Sequence, residues 1–570
     1  MRRTPVDLRR HERFRRVFDQ TPPPSTPDPA TRAPTGPAAT DDRLVRNGGQ
    51  MAIGTIVSRA TGFLRTAVLL AALGRTGVAD AYNIANASPN NVYDLLLGGI
   101  LTAVIVPLLV RAGRSDADGG ERFTSVLFTI LGLFVGIASL VGVLAAPLIM
   151  RLYLGSNVSP HERDLAVTFT RLFLPQMLFY AMTALMGAVL NTRGRFGAVG
   201  FAPVVNNVIV IATGGLFIAT ADRKNLDDTL GHGSTMLLGL GTTAGVIGMT
   251  LALVPAIRAA GVRVRFIPDF REPRLRQAVH LGGWVLAYAA INQLGLLIIT
   301  RLASNGRGGG DFTLYSTAYQ VFQLPHAIIA VSVISALMPA LSAAAADRDL
   351  PAVRGGLSRG LRLTFVFLVP AALGLAALAN PIVTAALAHG STTASAGRIL
   401  ADTLAVFAFG LPAFSAFQLL LRAFYAGQDS RTPALINVAV NVVNVIGDIV
   451  LISVLPAHLR VPGLAAGLAL SYVVGSVIAF VLLRSALGGV DGARVVRLLV
   501  RTTIAALLAA FVARVSSDVV RNALGASFGP AIVALLVGAG LGGVVYVAAA
   551  RRMRVRELTD LLRLATNRGR

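Results

Sequence analysis

Fourteen long apolar stretches constrain this chain more than any other feature. They run over residues 50–73, 79–110, 123–150, 164–190, 198–220, 234–257, 277–303, 312–343, 361–388, 399–425, 432–455, 463–483, 495–513 and 530–550. A helix rises 1.5 Å per residue and a hydrocarbon core is roughly 30 Å thick, so each stretch is long enough to span. Lipid offers no partner to backbone N–H and C=O groups, which leaves an all-α polytopic bundle as the expected fold. Composition agrees: 54% of residues are hydrophobic, 14% are charged and the mean hydropathy is +0.66. Prolines recur within the spans at near-constant offsets: Pro89 with Pro325, Pro175 with Pro412, and Pro203 with Pro433. That spacing predicts two pseudo-symmetric six-helix lobes, at 48–260 and 261–485, followed by two further spans over 486–550. Transporters built from repeats place their site between the halves.

The net charge of +24 would suggest nucleic acid in a soluble protein. Here the arginines fall mostly in short loops and the two tails, so they report topology and no nucleic acid is expected. The loop from Arg258 to Arg276 alone carries six. The basic loops place both termini in the cytoplasm. Residues 1–47 form a basic, proline-rich tail with no apolar core and no signal-peptide h-region. Residues 551–570 form a second basic tail, in which Val555, Leu558, Leu561, Leu562 and Leu564 could line an amphipathic helix on the inner leaflet.

Several chemistries are excluded. There are no cysteines, hence no disulfide and no thiolate site. The single lysine, Lys224, is followed by Asn225, so no G-x-x-x-x-G-K-[ST] phosphate loop exists. Neither H-E-x-x-H nor G-x-S-x-G occurs, no set of residues has metal-ligand spacing, and an enzyme is not expected.

The informative residues are charges inside spans. Arg59 and Arg65 lie roughly 5 Å to either side of the centre of the first span. Each arginine near a helix centre costs about 2.5–3.5 kcal/mol, so the pair is expected to face a watery cavity or an anionic partner. Six residues separate them by about 120° around the helix, and Gly62 between them permits a bend. The plainer alternative is that one snorkels to an interface or pairs with an acid such as Asp80. Arginine suits bidentate capture of phosphate, whereas a cation exporter needs buried carboxylates. An anionic, phosphorylated substrate is therefore expected.

Other polar groups at membrane depth are Asn90, Asn91 and Asp94, Asn206 and Asn207, Asn292 and Gln293, Gln320, and Asn441, Asn444 and Asp448. Amides in spans commonly join helices by hydrogen bonds. Asn444 and Asp448, at i and i+4, share one helix face and could hold a coupling proton or cation. The alternative places Asp448 hydrated near the outer interface.

SRATGFLR, VADAYNIANASPN, LTAVIVPLL and AVLNTRGRFGAVGFAPVVNN closely resemble the MurJ (MviN) family of lipid II flippases. That family lies within the multidrug/oligosaccharidyl-lipid/polysaccharide exporter superfamily, and the resemblance covers residues 48–550. It implies fourteen helices in two lobes around a cationic cavity, with the last two helices forming a groove for a polyprenyl tail. The implied activity is transfer of the lipid-linked peptidoglycan precursor from the inner to the outer leaflet of the bacterial plasma membrane. Membrane lipids and the cell-wall synthesis and division machinery are the implied partners. No cofactor is implied beyond the membrane potential or a monovalent cation. By motif, Arg59 and Arg65 match the first-span arginines, Asp80 the acid after the first loop, and Pro89 with Asn90 the second-span Pro-Asn. Two family arginines are replaced, by Tyr93 and Gln320. Pro89 and Pro325 would act with Gly62 as gating or kink positions. The rival readings are an exporter of another polyprenyl-linked glycan or amphiphile, and a non-transporting cell-wall scaffold.

Overall fold

The computed structural model describes residues 37–95, 105–221, 230–305, 309–427, 429–525 and 527–559. Among them the secondary structure is helical, with no strand. They fall into two compact units.

The first unit comprises residues 33–314 with 389–396. Its helices are α1 (Pro37–Leu73), α2 (Gly77–Leu95), α3 (Val106–Ser115), α4 (Glu121–Leu144), α5 (Ala146–Tyr153), α6 (Pro160–Phe173), α7 (Gln176–Thr192), α8 (Phe196–Thr220), α9 (His232–Ala259) and α10 (Pro273–Ala303). The first residues of α11 (Asp311–Pro325) also belong to it. The second unit, residues 315–388 and 397 onward, holds the rest of α11 and a π-helical turn, His326–Ala330. Then come α12 (Val331–Ala346), α13 (Leu350–Ala377), α14 (Ala379–Ala386), α15 (Ala394–Ala426), α16 (Arg431–Val454), α17 (Arg460–Ala486), α18 (Gly492–Leu524) and α19 (Phe528–Arg552). The seventh expected span, α10, thus packs with the first six.

Twelve helices among the described residues are long and apolar enough to cross a membrane, against the fourteen stretches expected. The other two stretches, the second and the seventh, run partly outside the described residues. The second, 79–110, gives α2, which carries Asp80, Asn83, Asn86 and Asn90 in 19 residues, while its apolar residues 96–104 lie outside the described residues. In α10 the side chains of 276–286 lie outside the described residues, which leaves Ala287–Ala303 as its described apolar part. At the chain ends, α1 begins at Pro37, ahead of the expected boundary at residue 48. Val555 and Leu558 are buried against protein, and Arg362 pairs with Glu557 at 2.8 Å, so these residues face the second unit and not a leaflet. Leu561, Leu562 and Leu564 lie outside the described residues.

Helix contacts in the first unit run through small residues. A Cβ on Gly54 of α1 would come within 2.9 Å of the Gly200 backbone of α8, and Gly62 meets the Asn207 side chain. With Thr66 and Leu70 these form an i, i+4 stripe on α1. Behind it, Phe123, Ala184, Leu185 and Met249 join α4, α7 and α9 in a fully buried cluster. Tyr82 stands edge-on to Phe169 and Phe173 at 5.6 and 5.3 Å, with its hydroxyl 2.6 Å from Thr242 Oγ1. In the second unit Phe322, Phe407 and Phe414 continue an aromatic core to Tyr472. Gly538 and Gly542 let α19 lie against α18 at Ala513.

The prolines act unequally. Pro175 caps α7 after a break in the fourth span, whereas its expected counterpart Pro412 sits inside unbroken α15. Pro89 lies within α2, while Pro325 immediately precedes the π-helical turn. Helix α1 continues through Gly62 without interruption.

Gly54→Leu forces side-chain volume into the α1–α8 contact, and overpacking of this kind costs about 1–3 kcal/mol. Thermal unfolding of the purified protein should show a lowered midpoint for Gly54→Leu. Gly215→Ala, where an added Cβ meets nothing within 4 Å, should leave the midpoint unchanged.

Candidate functional site

Asn207 fixes how the first-span arginines are presented. Its amide nitrogen donates to the Ser58 carbonyl at 3.1 Å and to Thr61 Oγ1 at 3.0 Å, pinning α8 to α1. Arg59 and Arg65 lie about 60° to either side of Gly62, the residue that faces this amide. Arg59 is exposed and Arg65 is half-buried. Among the described residues neither is in an ion pair, so the alternative of pairing with Asp80 is not realised. Arg65 lies within electrostatic range of the Tyr82 hydroxyl.

Asp80 is fully buried and engaged elsewhere. Its Oδ1 accepts from the Thr313 backbone N–H and from Thr313 Oγ1, both at 2.7 Å, while the Phe312 N–H points at Oδ2 from 3.4 Å. The first N–H groups of any helix lack partners, and the helix dipole favours negative charge there. Asp80 therefore caps α11 from another helix. Arg75 holds Asp311 at 2.7 Å, and Asn83 donates to Thr313 Oγ1 at 3.1 Å. Gly309 and Gly310 have φ of 64° and 80° and lie against the backbones of Gly77 and Arg75, so a side chain is excluded by both conformation and space. These groups latch the start of α2 to the start of α11.

The other expected residues separate in the same way. Asn90 accepts from the Tyr180 hydroxyl and donates to the Asn86 carbonyl, both at 2.7 Å, which is a helix-joining role. The side chains of Asn91, Tyr93 and Asp94 lie outside the described residues. Gln320 is exposed on α11.

In the second unit, Asn444 donates from Nδ2 to Asp448 Oδ2 at 2.8 Å. Asp448 is completely buried, so the hydrated position considered above does not occur. The remaining oxygens, Asn444 Oδ1 and Asp448 Oδ1, are buried without a hydrogen-bond partner. A Cβ on Gly467 of α17 would overlap Asp448 Oδ1, so only glycine lets the carboxylate sit there. Two orphaned oxygens on one helix face suit a proton or a small monovalent cation.

Sequence reading singled out Asp80 but not its partner Thr313. Thr313 is 233 residues from Asp80, and Asp311 is 236 from Arg75, so neither contact carries a local motif.

A profile of the lipid II flippase MurJ family matches residues 69–535. The chain belongs to that family. Asp80, Gln320, Asn444 and Asp448 fall inside the matched segment, whereas Arg59 and Arg65 precede it. A probable lipid II flippase MurJ of Rhizobium meliloti (strain 1021) is 30% identical over 412 residues, covering 70% of this chain and 74% of its own length. The solved structure of a lipid II flippase MurJ in an inward closed conformation has the same fold, with TM-score 0.70 and 20% identity over 88% of this chain and 99% of its own. An inward-facing MATE family multidrug transporter of the MOP superfamily aligns with TM-score 0.62 and 15% identity, over 75% of this chain and 94% of its own. The chain is accordingly a multi-pass protein of the bacterial inner membrane with an exporter fold.

The latch is tested by a double-mutant cycle on thermal stability. Asp80→Asn and Thr313→Val should each destabilise. Together they should do so by less than the sum, with a coupling of about 1–2 kcal/mol. Additive effects would mean that the two side chains do not support one another.

Proposed function

We propose that the chain is a lipid II flippase, which moves the lipid-linked peptidoglycan precursor from the inner to the outer leaflet by alternating access. The observation that carries this reading is a pair of arginines with no carboxylate partner among the described residues, Arg59 exposed and Arg65 half-buried, on an apolar span. Family membership supports it. The two cations attract the substrate's diphosphate, and their neutralisation lowers the cost of burying them, which favours closure around a loaded cavity. The polyprenyl tail stays in lipid, beside α18 and α19, while the head group crosses the membrane. Pro89 and the π-helical turn after Pro325 supply the places where spans bend. Both termini lie in the cytoplasm, and the product feeds the cell-wall synthesis machinery.

Driving force comes from the membrane potential, worth about 2.3 kcal/mol per charge per 100 mV, or from a proton or monovalent cation held by Asn444 and Asp448. Charge neutralisation of Asp448 is what such a cation would supply. Asp448→Asn keeps the shape and the hydrogen bond but removes the charge. Flipping in vesicles should then lose its response to an imposed cation gradient, while lipid II binding persists.

The first test is rescue of a bacterium depleted of its own flippase. The unaltered chain should restore growth and outer-leaflet lipid II, and Arg65→Ala at equal expression should not. Equal rescue by the variant would remove Arg65 from the transport site. Failure of both inserted chains would favour another lipid-linked substrate or a scaffold role.

A further inference from the structure

The segment joining α9 to α10 crosses the first unit without regular structure over residues 262–272. It is nevertheless held in register. The backbone N–H of Arg265 donates to Ser125 Oγ at 3.1 Å, and that of Ile267 to Thr129 Oγ1 at 2.9 Å. Ser125 and Thr129 are one turn apart on α4, and the donors are two residues apart, which is the register of an extended chain laid along a helix. Its ends are fixed too. Val262 is buried, Arg122 pairs with Asp269 at 2.9 Å, and Arg274 pairs with Asp116 at 2.8 Å while its guanidinium lies 4.3 Å from the Phe123 ring centre. Asp116 lies at the end of α3, and the hydrogen bond from Arg274 holds its carboxyl below the usual range.

Alternation then sorts the side chains of this strap. Val264 and Phe266 project to one side, and Arg263 and Arg265 to the other. Exposure of the apolar members is large: Val264 is 44%, Phe266 77% and Phe270 65% accessible. A loop in water gains nothing from displaying two phenylalanines. The helix beneath explains them, because α4 presents Phe134, Ile137, Leu140 and Leu144 outward, as a span does to lipid tails. The strap lies over the Ser125 and Thr129 end of the same helix, next to this lipid-facing surface.

We propose that residues 263–271 are an interfacial lipid-binding strap. Its phenylalanines seat at the boundary between head groups and acyl chains, and Arg263, Arg265 and Arg271 take the phosphates of anionic phospholipid. Apolar burial combined with basic attraction to an anionic surface is the physics of monotopic anchors. Here it is built on an extended backbone that two helix hydroxyls hold in place. The proposal is independent of the transport reading, which supplies only the leaflet, the cytoplasmic one.

The absence of cysteine makes the test clean. Phe266→Cys, and separately Val264→Cys, is labelled with bimane in the full chain and placed in phosphatidylcholine nanodiscs. These contain rising fractions of phosphatidylglycerol or phosphatidylcholine bearing a doxyl group near the top of the acyl chain. Doxyl-phosphatidylglycerol should quench the label at lower fractions than doxyl-phosphatidylcholine. Arg263→Gln with Arg265→Gln should erase that preference, by roughly fivefold for each arginine. Because Arg265 is held through its backbone, the pair should leave the unfolding midpoint unchanged. Ser125→Ala with Thr129→Val should release the strap and weaken quenching by both lipids. Quenching by aqueous iodide with none from lipid, equal quenching by the two lipids with the arginines intact, or quenching by a spin-labelled second copy of the chain would overturn the proposal.

Discussion

Placing polar groups in an apolar, membrane-spanning bundle is expensive, and the arrangement of this protein follows from how each such group is satisfied. In hydrocarbon the backbone must hydrogen-bond within its own segment, which makes the chain helical. Side chains then face the same requirement one at a time. Threonine and serine hydroxyls return to a carbonyl three or four residues earlier, as Thr66 does to Gly62. Amides bridge helices, as Asn207 bridges α8 and α1. Asp80 goes to the start of α11, where unpaired N–H groups and the helix dipole receive it.

Set against that background, Arg59 and Arg65 differ in kind. Among the described residues no carboxylate pairs with them, and neither is fully buried. Asn444 and Asp448 show the reverse arrangement, with acceptor oxygens buried and unfilled. Among the described residues, the first unit thus carries these arginines outside any ion pair, and the second buries two oxygens without a hydrogen-bond partner. The strap over α4 solves a third case, since its polar backbone is met by Ser125 and Thr129 while its phenylalanines stay exposed.

Glycine determines which of these arrangements can close. At Gly54, Gly467, Gly309 and Gly310 a side chain would strike a neighbouring backbone or carboxylate, so the close approach of α1 to α8, the seat of Asp448 and the α2–α11 latch each depend on a missing Cβ. Small residues serve membrane helices in this way because lipid tails provide no hydrophobic drive for association, and contact must come from packing.

The sequence by itself determined the helical class, the membrane location and most span positions, because length and apolarity over some twenty residues are local properties. It also singled out the intramembrane charges, since an arginine within an apolar run is conspicuous wherever it folds. It did not rank those charges. Asp80 and Arg65 look alike as isolated ionisable residues in spans, yet one caps a helix 233 residues away and the other is in no ion pair among the described residues. That distinction depends on which helix ends and hydroxyls arrive beside each charge, a long-range outcome of packing. The same holds for the asparagines of α2, where Asn83 meets Thr313 and Asn90 meets Tyr180 on other helices. It holds too for Val555 and Leu558, whose apolar pattern fits a leaflet or a protein groove equally well. Local chemistry set what each residue needs, and only tertiary structure decided which neighbour meets the need.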